Sequence, residues 1–220
     1  MNCKLVIFDL DGTLIDTIAD LGTAANESLR LRGLPLHPLE AYRGMVGHGV
    51  RNLVRNAMPE EIREDERQLD DLLELFLAYY IDHIDDRSRP YPGIPELLAD
   101  LDAAGVKLAV ASNKFQAGTE KLIRRTFPQI PFAAICGGRP DRPLKPDPAV
   151  IRAIWAQTGG RPESTVMVGD SGTDIATAAA AGIPGVAVTW GFRPREALLA
   201  ADRIAGTVEE LRGFLLRNSS

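Results

Sequence analysis

The chain has 220 residues, with 25 Lys and Arg against 30 Asp and Glu, a formal net charge of −5. At 45% hydrophobic and 25% charged residues it has the make-up of an ordinary globular protein, which excludes wholesale disorder and a fibrous architecture. The mild acidity argues against a nucleic-acid partner, which calls for a basic face, and no apolar run approaches the roughly 20 residues that a membrane span takes.

In chain order, the first run is Lys4-Leu5-Val6-Ile7-Phe8, mostly apolar, too short for a helix and followed at once by Asp9-Leu10-Asp11-Gly12-Thr13. Such a run reads as a strand buried on both faces. An Asp at position 9 arrives too early for the apolar region of a signal peptide, so a cytoplasmic location is expected. From 15 to 90 only helical periodicity is found. Ile18, Leu21, Ala25 and Leu29 trace one stripe, and Val50, Leu53, Val54 and Ala57 a shorter one. A third runs through Leu69, Leu72, Leu73, Phe76, Leu77, Tyr80, Ile81 and Ile84 on a long helix over 66–85. These stripes read as core packing, and the last serves a subunit interface equally well, so a monomer and a homodimer both remain open.

After Pro90 and Pro92-Gly93, strands and helices alternate. Strands are expected over Val106–Ala111, Phe132–Cys136, Thr165–Val168 and Gly185–Trp190, and helices over Ile94–Ala104, Gln116–Phe127, Pro148–Gln157, Asp174–Ala181 and Thr207–Leu216. This order means βαβ units and an α/β fold with a doubly wound parallel sheet, Rossmann-like, in 1–14 and 91–220, interrupted by an all-helical domain in 15–90. Cys3 and Cys136 lie too far apart in sequence for a disulfide framework and read as small buried hydrophobes of a reducing compartment.

In doubly wound sheets ligands gather beyond the carboxyl ends of the strands, and the polar clusters of this chain fall there. Asp9 and Asp11 project the same way from the first strand. Two carboxylates so close cannot both stay ionised without a cation or a shared proton. An Asx-type turn is the plain alternative. Ser112-Asn113 ends the second core strand and offers short donors for an anion; a helix cap is its plain alternative. Lys145, in Lys-Pro-Asp-Pro, points its ammonium from a loop stiffened by prolines, or is simply solvated. Asp170 follows a later strand and suits a hard divalent cation such as Mg²⁺, and Asp174 opens the next helix, as a cap if nothing more.

Together these clusters resemble the haloacid dehalogenase superfamily, and within it the phosphatases. The motifs are Asp9-Leu10-Asp11-Gly12-Thr13-Leu14, Ser112-Asn113, Lys145-Pro146-Asp147-Pro148 and Gly169-Asp170-Ser171-Gly172-Thr173-Asp174. The resemblance implies Asp9 as nucleophile on the phosphorus of a monoester and Asp11 as acid, then base. It implies Mg²⁺ held by the Asp9 carboxylate, the Asp11 backbone carbonyl and Asp170, and phosphate oxygens held by Ser112, Asn113 and Lys145. Repulsion from Asp9 would favour a proton on Asp11. Thr13 and Asp174 would support these groups from behind. The block 15–90 would be a cap closing over the site. Its loop Val46-Gly47-His48-Gly49-Val50-Arg51 looks like that of phosphoglycolate phosphatases, with Gly47, His48 and above all Arg51 placed to meet a substrate carboxylate. Thr189-Trp190-Gly191-Phe192 also looks like this subgroup.

The implied activity is Mg²⁺-dependent hydrolysis of a small phosphorylated metabolite, 2-phosphoglycolate first. Another small phosphate (sugar phosphate, nucleotide or pyrophosphate), a phosphosugar mutase and a phosphoacceptor signalling module are the alternatives.

Overall fold

The computed structural model describes residues 3–216. In chain order its elements are β1 (Leu5–Phe8), β2 (Ile15–Asp16), α1 (Ile18–Leu31), α2 (Val50–Ala57), α3 (Glu66–Asp82), β3 (Arg89–Pro90), α4 (Ile94–Ala103), β4 (Lys107–Phe115) and α5 (Gln116–Thr126). There follow β5 (Ala134–Gly138), α6 (Ala149–Thr158), β6 (Thr165–Gly169), α7 (Gly172–Ala181), β7 (Gly185–Val188), β8 (Arg203–Ala205) and α8 (Val208–Leu216).

Six strands form one sheet in the order β5-β4-β1-β6-β7-β8, and every neighbouring pair is parallel. From β1 the chain winds outward through β4 and β5, then returns to β6 and winds the other way. β1 therefore lies at the switch point, where the loops after β1, β4 and β6 diverge and leave a crevice.

The apolar runs are continuous because both sheet faces are covered. Val6 and Phe8 face the side packed by Leu97, Leu101, Leu122 and Leu211 of α4, α5 and α8. Leu5 and Ile7 face the opposite side, against Ile151 and Ile154 of α6 and Ala178 of α7. Cys136 is buried with this second cluster, while Cys3, ahead of β1, is half-buried.

Between β2 and β3 the chain is helical. The two short strands pair antiparallel, Ile15 with Pro90 and Asp16 with Arg89, which brings together the points where the helical block leaves and rejoins the rest. The buried Asp20 of α1 strengthens this closure. Its carboxylate accepts hydrogen bonds from the backbone N–H groups of Arg87 and Ser88 and from the Ser88 hydroxyl at 2.7 Å.

Helix α3 begins at Asp65, whose carboxylate accepts from the N–H groups of Arg67 and Gln68 and so satisfies two otherwise orphaned donors. Its stripe is buried within the chain at Leu69, Leu72, Phe76 and Tyr80, against α1 and α2. Leu73, Leu77 and Ile81 are half-buried beside it. Among the described residues, no helix is long and apolar enough to cross a membrane.

Candidate active site

A cavity lies where the crevice at the switch point meets the helical block. Asp9, Asp11, Ser112, Asn113, Lys114, Lys145, Asp170 and Asp174 line it from the strand ends, and Gly47, Val50, Phe76 and Tyr80 line it from the helices.

Asp9 follows β1 directly, with its N–H tied to the Val168 carbonyl at 2.8 Å. Its Oδ1 accepts from Lys145 Nζ at 2.8 Å. Lys145 also donates to Asp174 Oδ1 and to the Ala111 carbonyl, each at 2.7 Å, so its three N–H donors are all engaged. Burial works against its charge, but Asp174 and Asp9 outweigh it and hold the ammonium protonated above its ordinary range.

Asp170 ends β6. Its Oδ2 accepts the Phe192 N–H at 2.6 Å, and its Oδ1 takes only a long bond, 3.3 Å, from the Thr13 hydroxyl. Trp190 Nε1 anchors the same loop by donating to the Thr13 carbonyl at 3.1 Å. The approach of these loops needs glycine in two places. A Cβ on Gly12, whose φ is +87°, would lie 2.4 Å from Asp170 Oδ2. One on Gly191 would lie 2.3 Å from the same carboxylate and 2.4 Å from the Gly12 carbonyl.

Asp174 closes a capping box on α7 with Ser171: its Oδ2 accepts from the Ser171 hydroxyl at 2.6 Å and from the Ser171 N–H at 3.1 Å. One side chain thus caps α7 and also accepts a hydrogen bond from Lys145.

Carboxylate oxygens of Asp9, Asp170 and Asp174 lie within 4.8 Å of one another. Three buried acids share one ammonium, and the excess charge shows in their proton affinities. Burial first, then the Asp174 charge, raises the Asp9 carboxyl well above its usual range, with Lys145 opposing. Burial and Asp174 push the Asp170 carboxyl up to about 7. Such a cluster suits a hard divalent cation, which takes oxygen ligands and restores the charge balance. Both Asp174 oxygens are already committed to Lys145 and Ser171. The lightly used oxygens are those of Asp9 and Asp170.

Asp11 lies apart from this cluster. Its Oδ1 accepts from the Thr17 hydroxyl at 2.7 Å and stands 3.0 Å from Lys114 Nζ. The repulsion from Asp9 that the sequence suggests is therefore answered by an ion pair. Lys114 went unnoticed in the sequence because it reads as the polar residue after a strand. In fact β4 runs on to Phe115, through a register shift after Ala111, and this carries Lys114 into the interior. There Nζ also donates to the Tyr80 hydroxyl at 2.8 Å. Burial pulls the Lys114 ammonium down in proton affinity, but Asp11 and Tyr80 more than offset it, and it stays charged.

Three expectations need correction. The Asn113 side chain is not free for an anion: Nδ2 donates to the carbonyls of Gly47 and Lys145 at 2.9 and 3.0 Å, and Oδ1 accepts the Lys145 N–H at 2.8 Å. It fastens the Lys145 loop to the helical block. Arg51 does not reach the cavity either. At the start of α2 it points outward and pairs with Glu66 at 2.5 Å and Asp70 at 2.6 Å, both supplied by α3. His48 is exposed and, unlike Gly47, lies outside the cavity wall. A further group missed in the sequence is Arg193, whose guanidinium donates to the carbonyls of Arg43 and Val46 and holds that loop down over Phe192. Ser112 is buried at the cavity wall, its Oγ accepting the Lys114 N–H at 3.1 Å.

A family model described as haloacid dehalogenase-like hydrolase matches residues 6–188. The phosphoglycolate phosphatase of Mesorhizobium japonicum is 42% identical over 196 residues, 89% of this chain and 86% of that protein. The phosphoglycolate phosphatase of Caulobacter vibrioides is 38% identical over 193 residues, 87% of this chain and 81% of that protein. In three dimensions the chain resembles the crystal structure of a candidate phosphoglycolate phosphatase from Lactobacillus delbrueckii subsp. bulgaricus, with a TM-score of 0.91, 32% identity and coverage of 99% of this chain and 100% of that one. With most of its length matched in sequence and in fold, the chain belongs to the haloacid dehalogenase-like hydrolases, on their phosphatase branch.

Proposed function

We propose that the protein hydrolyses a small phosphorylated acid, 2-phosphoglycolate first, with Mg²⁺ as cofactor and Asp9 as nucleophile. The observation that carries this reading is the separation of the two carboxylates after β1: Asp9 in the acid cluster beside Lys145, Asp11 in a different pairing beside Lys114. One is equipped to receive a phosphoryl group and the other to handle protons. The names of the relatives supply the substrate.

Asp9 attacks the phosphorus through its free carboxylate oxygen. The bond to the substrate's ester oxygen breaks, and Asp11 gives that oxygen a proton. Asp11 then takes a proton from a water that attacks the aspartyl phosphate, which restores Asp9 and releases phosphate. Lys145, rigidly held by its partners, neutralises oxygen charge during both transfers, and the buried Ser112 is placed to donate its hydroxyl. Mg²⁺ would be held by Asp9, Asp170 and the Asp11 carbonyl, and when bound it supplies charge compensation for nucleophile and phosphate alike. Residues 15–90 act as the cap domain over the core of 1–14 and 91–220, excluding bulk water from the intermediate.

The test is phosphate release from a panel of 2-phosphoglycolate, β-glucose 1-phosphate, pyrophosphate and a nucleoside monophosphate, with and without EDTA. The highest kcat/KM is expected for 2-phosphoglycolate, with no turnover in EDTA or for Asp9→Asn. Isomerisation of β-glucose 1-phosphate in place of phosphate release, or near-wild-type activity of Asp9→Asn, refutes the assignment.

A further inference from the structure

Lys114 is buried in the wall of the cavity, and the chemistry above gives it no task. It is held from two sides. Nζ stands 3.0 Å from Asp11 Oδ1 and donates to the Tyr80 hydroxyl at 2.8 Å, 4.8 Å from the centre of the Tyr80 ring. An ammonium has three N–H donors, so one is left over, and among the described residues it has no partner.

We propose that Lys114, steadied by Tyr80, recognises the carboxylate of the substrate and so makes the site selective for esters of 2-hydroxy acids. This rests on the reading of the site as a phosphatase with Asp11 as proton donor. If Asp11 serves the ester oxygen, that oxygen lies within hydrogen-bond reach of Asp11. In a phosphorylated 2-hydroxy acid the carboxyl carbon is two bonds away, which puts the carboxylate oxygens about 2.6–3.6 Å from the ester oxygen. That is within reach of an ammonium in contact with Asp11.

Of the other cations of the cavity wall, Lys145 has a partner for each of its three donors, whereas Arg193 uses one N–H of each terminal nitrogen on the Arg43 and Val46 carbonyls and so is turned towards that loop. Leu21, Val46, Val50, Leu53, Phe76 and Phe115 give the cavity a largely apolar stretch of wall. Such a stretch offers little to the hydroxyls of a sugar or to a base, but it strengthens a single ion pair by excluding water. A short acid, apolar except for its carboxylate, matches it.

The experiment compares 2-phosphoglycolate with ethyl phosphate, which has a methyl group where the other has a carboxylate. Wild-type protein should favour 2-phosphoglycolate in kcat/KM. In Lys114→Met this preference should fall about ten- to a hundredfold, mainly through KM, because the carboxylate then enters an apolar pocket unpaired. Tyr80→Phe, which keeps the ring and the packing, should reduce the preference severalfold, and it decides the matter if Lys114→Met fails to fold by circular dichroism. Equal losses on both esters in Lys114→Met would mean that Lys114 only positions Asp11 and would overturn the proposal, as would an unchanged preference in both variants. A wild-type protein that hydrolyses the two esters equally would overturn the substrate reading together with it.

Discussion

Consider Asp170→Asn in the metal-free protein. Asp170 is almost fully buried beside Asp174, and its carboxyl is pushed up to about 7, whereas an unfolded chain gives up this proton near pH 4. The fold therefore holds the proton more tightly than the unfolded chain does. Stability from this group is complete below about pH 4 and is lost as pH rises towards 7. At pH 8 the ionised group costs at most about 4 kcal/mol, from about 1.4 kcal/mol per pH unit. Asn removes the charge and keeps an oxygen for the Phe192 N–H, now at 2.6 Å. That bond loses its charge assistance, and the amide N–H₂ gains a poor neighbour in the Thr13 hydroxyl, so about 1–2 kcal/mol of net stabilisation remains. For a domain of this size that amounts to a Tm increase of about 2–8 °C. The assay is a thermal melt in EDTA at pH 8 and pH 5, repeated with Mg²⁺. Asn should raise Tm at pH 8 and have little effect at pH 5, where the wild-type group is already protonated. Mg²⁺ should stabilise the wild type by up to ~3 kcal/mol at a hundredfold excess over its Kd and leave the variant nearly unchanged. A variant that melts below wild type at pH 8, or gains equally at both pH values, refutes the account of a carboxylate cluster strained by its own charge.

Two further exchanges probe the site from opposite sides. Lys145→Met strips Asp9 and Asp174 of their shared partner. It should destabilise the protein by about 3–5 kcal/mol at pH 8 in urea unfolding, less at pH 5, and cut kcat at least about a hundredfold. A kcat within tenfold of wild type would remove Lys145 from the machinery. Arg51→Ala breaks only exposed pairs with Glu66 and Asp70, and should change stability by less than about 1 kcal/mol and turnover of 2-phosphoglycolate less than about twofold. A tenfold fall in kcat/KM would return Arg51 to substrate recognition.

The sequence by itself was enough for the fold and for several of the polar residues that the fold gathers around one cavity. Continuous apolar runs ending in Asp, Ser or Gly read as doubly covered parallel strands because burial on both faces leaves little room for alternation, and the sheet has this form. Asp9, Ser112, Lys145 and Asp170 were visible because each sits at a strand end or in a proline-bounded loop, where local chain geometry alone restricts direction. The small strand β8 and the β2–β3 ladder were not visible, since strands of two or three residues carry no period and exist only where a neighbour pairs with them.

What only the tertiary structure decided is which groups lie across from one another. Arg51 looked like a ligand from its glycine loop, yet α3 presents Glu66 and Asp70 to it, and those partners are 15 and 19 residues further on. Asn113 looked like a phosphate donor, yet the Lys145 loop and Gly47 use its whole carboxamide. Lys114 drew no attention in the sequence, yet an extra stretch of β4 turns it inward to meet Tyr80, 34 residues away. A strand's own residues determine its hydrophobic pattern. The charge that faces a given side chain is set by packing between segments distant in sequence, and no local pattern records it.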